Sequence, residues 1–266
     1  DLIITPMRGS IYDRNMTELA VSATTQEISV SPTNIRTKGL ASVEIKRDEK
    51  GKAIPATDEE KEAACLKYQQ RIAKLLAKYL DLDYDETLKK IQRDQSYVRI
   101  ARHVDADIAD ELVQKLSDEK LSGVNTTEDS KRYYKYGNFA SQVIGFTNDD
   151  GQGLYGLELQ YNDVLKGVAG RVVKATNALG SDMPYDYEKY VAAKDGNGVV
   201  TTLDEGVQHY LEKHLEEVLA QTSAKKGVCG IVMDIKTGEI LAMSTKPDFD
   251  LNNPRVIPEE YTSLLN

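Results

Sequence analysis

The sequence predicts an α+β fold, in which mixed strands frame an inserted helix-rich lobe and an amphipathic helix with a β-hairpin follows. Three features carry this prediction. Apolar residues alternate in strand fashion between Arg8 and Val30, a stripe of helical period runs from Cys65 to Tyr79, and Gly227 to Met243 reads as two apolar strands about a tight turn at Gly238.

In the first segment Ile11 leads into the turn-forming Asp13-Arg14-Asn15, after which Leu19, Val21, Ile28 and Val30 define further strand. Ser31 to Asp58 holds Pro32, Gly39, Gly51 and Pro55 and reads as a loop with at most one short exposed strand. Thr57 and Glu60 then have capping-box spacing, so hydroxyl and carboxylate can satisfy reciprocal backbone N–H groups at a helix start. The helix that follows buries Cys65, Tyr68, Ile72, Leu75, Leu76 and Tyr79 and leaves Lys67, Lys74 and Lys78 largely wet. Helices over Asp85 to Asp94 and Asp105 to Leu116, with a strand over Tyr97 to Ala101 between them, complete the lobe. Strands return at Arg132 to Tyr134 and Gln142 to Phe146. Gly151, Gly153 and Gly156 then open a helix with Leu154, Leu157, Tyr161 and Leu165 on one face. A strand over Arg171 to Ala175 and a joint over Tyr185 to Gly198 lead to a second capping box, Thr202-Leu-Asp-Glu205. Its helix carries Val207, Leu211, His214, Leu215, Val218 and Leu219, a face suited to lie on the final hairpin.

Glu158 falls on the apolar face of its helix. A carboxylate there needs a cation, and Arg8 or Arg14 is expected to supply it. The alternative is a Glu at the edge of the stripe, reaching solvent.

Composition narrows the function. With 266 residues, 40% of them hydrophobic, the chain can bury a good core, and two domains suit its length. It has no Trp, 3 Phe and 15 Tyr, which favours packing beside polar groups over a deep apolar pocket. A net charge of -9 argues against nucleic acid. Cys65 and Cys229 have no metal or disulfide spacing and read as core thiols. His103, His209 and His214 are scattered, so no metal site is expected, and no cofactor either. The glycines from Gly151 to Gly156 lack the Lys-Ser/Thr of a phosphate loop. The acidic clusters at Asp58 to Glu62 and Asp105 to Asp110 sit at helix starts, where the macrodipole favours them. No run of about 18 apolar residues occurs to span a bilayer.

Several separated motifs share one order. They are Arg8-Gly9-Ser-Ile-Tyr-Asp13-Arg14-Asn15, Arg132-Tyr-Tyr, Gly153-Leu-Tyr-Gly156-Leu-Glu158 with Tyr161 and Leu165, Thr201-Thr-Leu-Asp204 with Gln208, and Asp234 with Thr237-Gly238-Glu-Ile-Leu-Ala-Met243 and Pro247. In this arrangement the chain resembles the class B penicillin-binding proteins over nearly its whole length. It departs from the family at Met16, where Gly is usual, and at Lys135, where Pro is usual.

The resemblance implies an elongated pedestal or dimerisation domain over residues 1–198, with its inserted lobe at about 31–131, and the beginning of a transpeptidase domain over 199–266. The intact parent is expected on the extracytoplasmic face of the bacterial membrane, anchored by a segment before Asp1. It would cross-link peptidoglycan through a serine acyl-enzyme, bind β-lactams, and meet cell-wall synthesis proteins through the pedestal. A β-lactam sensor or a catalytically inactive wall-binding protein could carry the same pedestal, and the catalytic remainder could also be a separate polypeptide.

A serine hydroxyl becomes a nucleophile only when a base takes its proton, which the family arranges with Ser-x-x-Lys, then Ser-x-Asn and Lys-Thr-Gly. Ser117-Asp-Glu-Lys120, Ser223-Ala-Lys-Lys226 and Lys236-Thr-Gly238 match parts of this pattern in the wrong context, and no Ser-x-Asn occurs. No catalytic residue is therefore expected here, and none that binds a metal or cofactor. The final hairpin is expected to expose apolar faces unless a second molecule covers it, as in a homo-oligomer.

Overall fold

The computed structural model describes residues 2–47, 51, 54–173, 189–222, 224 and 227–255. Its elements in chain order are β1 (Leu2–Ile4), β2 (Ile11–Tyr12), β3 (Glu18–Val30), α1 (Pro32–Ala41), α2 (Asp58–Leu80), α3 (Tyr84–Ile91), β4 (Val98–Val104), α4 (Ala106–Asp118), β5 (Val124–Tyr134), α5 (Ser141–Ile144), α6 (Gly156–Gln160), α7 (Asn162–Leu165), β6 (Gly170–Val173), β7 (Lys189–Val191), β8 (Val199–Val200), α8 (Glu205–Thr222), β9 (Val228–Met233) and β10 (Ile240–Lys246).

These elements form two compact units. One is Asp1–Ala23 with Ser130–Asn266, and the other is Thr24–Asp129. The chain passes between them within β3 and returns within β5. The lobe expected at about 31–131 overlaps the second unit without sharing its bounds, and the C-terminal helix and hairpin cluster with the first.

The second unit builds its core from α2, α3 and α4 against β3 and β4, around Ile28, Val30, Ile72, Leu76, Ile91 and Leu112. Strands β3 and β4 are antiparallel, with Ile28 opposite Ala101. The capping box forms: Glu60 N–H donates to Thr57 Oγ1 at 3.2 Å and Thr57 N–H to Glu60 Oε2 at 3.0 Å. The segment expected as a loop from Ser31 is instead helical at first. Proline occupies the first turn of α1, where its missing N–H costs nothing, and Ile35 is fully buried.

In the first unit Ile11, Leu19, Ala20, Tyr134, Phe139, Ile144 and Leu165 form the core. Strand β2 runs antiparallel to β3 and parallel to β8, while β1, β6 and β7 make a separate antiparallel sheet. Three expectations need correction. Gln142 to Phe146 is not a strand: Ser141–Ile144 forms a single helical turn, because Ile144 N–H closes back on Ala140. The helix expected after Gly156 breaks at Tyr161 into α6 and α7, so Leu154 and Tyr161 are exposed while Leu165 is buried. Thr202 does not cap α8. Its hydroxyl donates to Ile240 O, and Asp204 caps the helix by accepting from Val207 N–H at 3.2 Å. Of the strand expected over Arg171 to Ala175, Arg171 to Val173 lie in β6, while Lys174 and Ala175 lie outside the described residues, as does the first part of the Tyr185 to Gly198 joint.

The hairpin forms as β9 and β10, with Met243 opposite Ile231. Helix α8 covers one face, where Leu211 and Leu215 lie over Gly230. On the other, Ile231 and Met233 are 62% and 54% exposed.

Met16 holds φ at 65° in the turn after Asp13, a left-handed conformation that is strained for a side chain with a long stem. We expect Met16→Gly to stabilise the first unit by about 1 kcal/mol in urea unfolding. A loss of stability would show that this turn carries no strain.

Candidate functional site

Glu158, on α6, is completely buried and lies between two guanidinium groups. Arg8 Nε donates to its Oε2 at 2.7 Å, and Arg132 Nε donates to its Oε1 at 2.7 Å. Tyr134 OH adds a third hydrogen bond to Oε1 at 3.2 Å. Both arginine side chains are 5% exposed. The carboxylate thus accepts three hydrogen bonds with both oxygens engaged, two of them from cations, the condition under which a buried ion pair is tolerated.

The arginines also hold backbone. Arg8 Nη2 donates to Glu158 O and Nη1 to Gly151 O and to Asn162 Oδ1. Arg132 Nη1 donates to Gly9 O at 2.9 Å. Asn162 Oδ1 in turn accepts from Gly153 N–H at 3.0 Å, which fixes the approach to α6. Gly153 is required there because a Cβ would sit 1.9 Å from Glu158 O, and Gly156, at φ +59, would place one 2.5 Å from Val143 O.

A second cluster lies at the other end of the Arg8 to Asn15 motif. Asp13 is 1% exposed, and its Oδ1 accepts from Asn15 N–H at 2.8 Å and Thr17 N–H at 2.7 Å. Its Oδ2 accepts from Glu205 N–H, the first residue of α8, at 3.4 Å. Arg14 N–H donates to Leu203 O, while its side chain pairs with Glu239 and not with Glu158. Asn15 Nδ2 reaches Asp204 Oδ2 at 3.4 Å.

From Asp204 the contacts pass to the hairpin. Gln208, completely buried, clamps the peptide of Met243 from both sides: its Nε2 donates to Met243 O at 3.0 Å and its Oε1 accepts from Met243 N–H at 2.8 Å. Its Nε2 also donates to Glu212 Oε1, which accepts Ala140 N–H at 2.7 Å. Asp234 and Thr237 shape the β9–β10 turn, accepting from Lys236 N–H and Glu239 N–H, and Gly238 N–H closes on Asp234 O. Beyond β10, Asn252 makes two bonds to the Tyr134 backbone, so residues after the hairpin return to the body of the unit.

The structure therefore gathers Arg8, Gly9, Arg132, Gly153, Gly156 and Glu158 in one cluster. Asp13, Arg14, Asn15, Asp204 and Gln208 form a second, continued by Asp234, Thr237 and Gly238 in the turn. Tyr161 only breaks the helix between α6 and α7. Reading the sequence for Glu158's cation missed Arg132 and Tyr134, although their two-residue spacing on a strand puts both on one face. It also missed Asn162 and Glu212, which no motif marked.

Neither cluster contains a serine or a cysteine. Ser117 lies in α4 while Lys120 follows the helix at φ 54, so the two do not stand one turn apart on a helix. Lys236 to Gly238 form the hairpin turn. Ser223, Lys225 and Lys226 lie outside the described residues.

A buried ionic staple and a set of backbone clamps define a scaffold module. The family model for the penicillin-binding protein dimerisation domain matches residues 3–201. The chain belongs to this family, among the class B penicillin-binding proteins. It is 31% identical to stage V sporulation protein D of Bacillus subtilis, over 97% of this chain and 34% of the relative. It is also 31% identical to the probable peptidoglycan D,D-transpeptidase PenA of Neisseria meningitidis serogroup A, over 93% of this chain and 37% of that one. The chain thus spans about a third of the length of these relatives. Among solved structures, penicillin-binding protein 2X of Streptococcus thermophilus shares the fold with a TM-score of 0.63 at 22% identity, covering 96% of this chain and 36% of its own. PBP2 of Helicobacter pylori, solved in complex with MreC, gives 0.62 at 19% identity, covering 100% and 46%.

Two outcomes follow from the staple. Glu158→Gln leaves two buried guanidinium groups without their counter-charge and should destabilise the first unit by about 3–5 kcal/mol, measured by urea unfolding. A change within about 0.5 kcal/mol would show that the pair contributes little. Burial, and then the Glu158 charge, raise the Tyr134 phenol well above its ordinary pKa of 10.0. The folded state therefore keeps a proton that the unfolded chain gives up, and stability should fall as pH rises above about 10. Tyr134→Phe should flatten this decline, and an unchanged slope would assign it to other groups.

Proposed function

We propose that this chain is the non-catalytic pedestal of a class B penicillin-binding protein, residues 1–198, joined to the beginning of its transpeptidase domain, residues 199–266. The family match over residues 3–201 supports this division. The observation that carries the reading is the bonding of Asp13 and Asn15 to the start of α8, with Gln208 of that helix clamping β10. One pedestal turn thereby sets the position of the helix and hairpin on which a catalytic sheet would be built.

The parent would cross-link peptidoglycan, the activity in the name of the meningococcal relative, and, as the class B resemblance implies, would do so by serine acyl transfer and be trapped by β-lactams. Its exposed hairpin residues Ile231 and Met233 would be covered by the remainder of that catalytic domain. The pedestal would stand on the extracytoplasmic face of the membrane, and no helix among the described residues is itself long and apolar enough to cross one. The MreC complex of the Helicobacter protein supports a role in meeting other cell-wall synthesis proteins.

Fluorescent penicillin tests the division of labour. The full-length parent should become covalently labelled, and the 266-residue chain should remain unlabelled under the same conditions. Labelling of the chain itself would overturn the reading.

A further inference from the structure

The sequence holds one Asn-Gly step, Asn197-Gly198, and it lies where the chain enters β8. Such a step is chemically distinct, because glycine has no Cβ to shield its amide nitrogen from the carboxamide of the residue before it. Both residues are exposed. The backbone on either side of them is held. Gly196 N–H donates to Met7 O at 2.9 Å and Asn197 N–H to Val164 O at 3.0 Å, while Val199 N–H donates to Ser10 O and Thr201 N–H to Tyr12 O, each at 2.9 Å. A Cβ on Gly196 would sit 1.7 Å from Leu165 O, so the chain before Asn197 is packed tightly against that carbonyl.

We infer that Asn197 is a modification site: its carboxamide is lost by spontaneous deamidation, and the isoaspartate that forms lengthens the chain where it enters β8. Hydroxide takes the Gly198 N–H proton, and the nitrogen bonds to Asn197 Cγ as the carboxamide C–N bond breaks and ammonia leaves. The imide ring comprises Gly198 N and Asn197 C, Cα, Cβ and Cγ. Asn197 N and Val199 N stand outside it, so closure removes none of the hydrogen bonds that hold the segment. Water then opens the ring. Attack at Cγ leaves aspartate with its ordinary peptide bond, and attack at the main-chain carbonyl leaves Gly198 N on Cγ, which is isoaspartate.

Either product carries a negative charge at neutral pH. Isoaspartate also routes the main chain through Cβ and Cγ, one methylene longer. That extra length falls between the bonds made by Asn197 N–H and Val199 N–H, and extended backbone has almost no slack to absorb it. The parallel pairing of β8 with β2, in which Ile11 lies opposite Val199, must then slip or open. The chemistry stands by itself, and its consequence for a catalytic domain built on α8 rests on the pedestal reading.

Timed incubation of the 266-residue chain at mildly alkaline pH, followed by peptide mapping, tests it. The mass change from amide to acid should appear first at Asn197 and faster as pH rises, and enzymatic methylation should mark isoaspartate in the same peptide. Asn197→Gln must close a larger ring and should be converted slower by on the order of tenfold or more, while its exposed side chain leaves the fold intact. In the isoaspartate fraction the Val199 and Thr201 amides should lose protection from hydrogen exchange, and in Asn197→Gln incubated alongside they should keep it. The inference is overturned if Asn197 stays intact in the folded chain over a period in which the urea-unfolded chain is converted there. It is equally overturned if isoaspartate forms and the Val199 and Thr201 amides stay protected. None of these readouts uses penicillin, so a failure here is distinguishable from a failure of the pedestal reading.

Discussion

The first unit depends on one carboxylate. Glu158 has no access to water, so its charge must be met from within, and two arginines distant in sequence do so at 2.7 Å each. Buried pairs of this kind add little net stability over a well-packed apolar alternative, because desolvation offsets most of the Coulomb attraction. What they supply is specificity: a mispaired arrangement would leave a buried charge unanswered. Arg8 arrives from the segment before β2 and Arg132 from β5, so their meeting on α6 brings three stretches of chain into one geometry.

The remaining motif residues serve peptide groups. Asp13 accepts three N–H groups, Gln208 holds both sides of the Met243 peptide, and Glu212 accepts the N–H of Ala140, which stands at φ 46. Irregular backbone at the junction of turns and short helices cannot satisfy itself, and each buried orphan group would cost about 1–3 kcal/mol. Side chains of fixed length at fixed positions do this work. That is why the motifs are rich in Asp, Asn, Gln and Gly.

Long periodic elements and the staple's acid were legible in the sequence, and the shorter pieces were not. The α2 stripe and its capping box follow from local rules, as does the hairpin turn about Gly238, and a lone Glu among Leu157, Tyr161 and Leu165 announced a missing cation. Helix α1 escaped because Pro32 and Gly39 read as loop residues, although proline is acceptable in a first turn. Four-residue α5 has too little sequence to show a period. The break at Tyr161 and the capping of α8 by Asp204 were hidden because tertiary bonds decide them: Thr202 spends its hydroxyl on Ile240 O and cannot also cap. Arg132 was overlooked as a second cation because its motif was read as a family mark and not followed along the strand to Tyr134.

The spacing within Arg8 to Asn15 then has a physical basis. Its first residue is fixed to Glu158, and its turn is fixed to Leu203, Asp204 and Glu205. Between them Ile11 is completely buried and pairs with Ala20 on one side and Val199 on the other. An extended strand has almost no slack, and a slip of one residue would turn Ile11 toward the opposite face. The strand therefore acts as a rigid spacer, so the orientation of α8, and of the hairpin clamped to it, follows from where Glu158 holds Arg8.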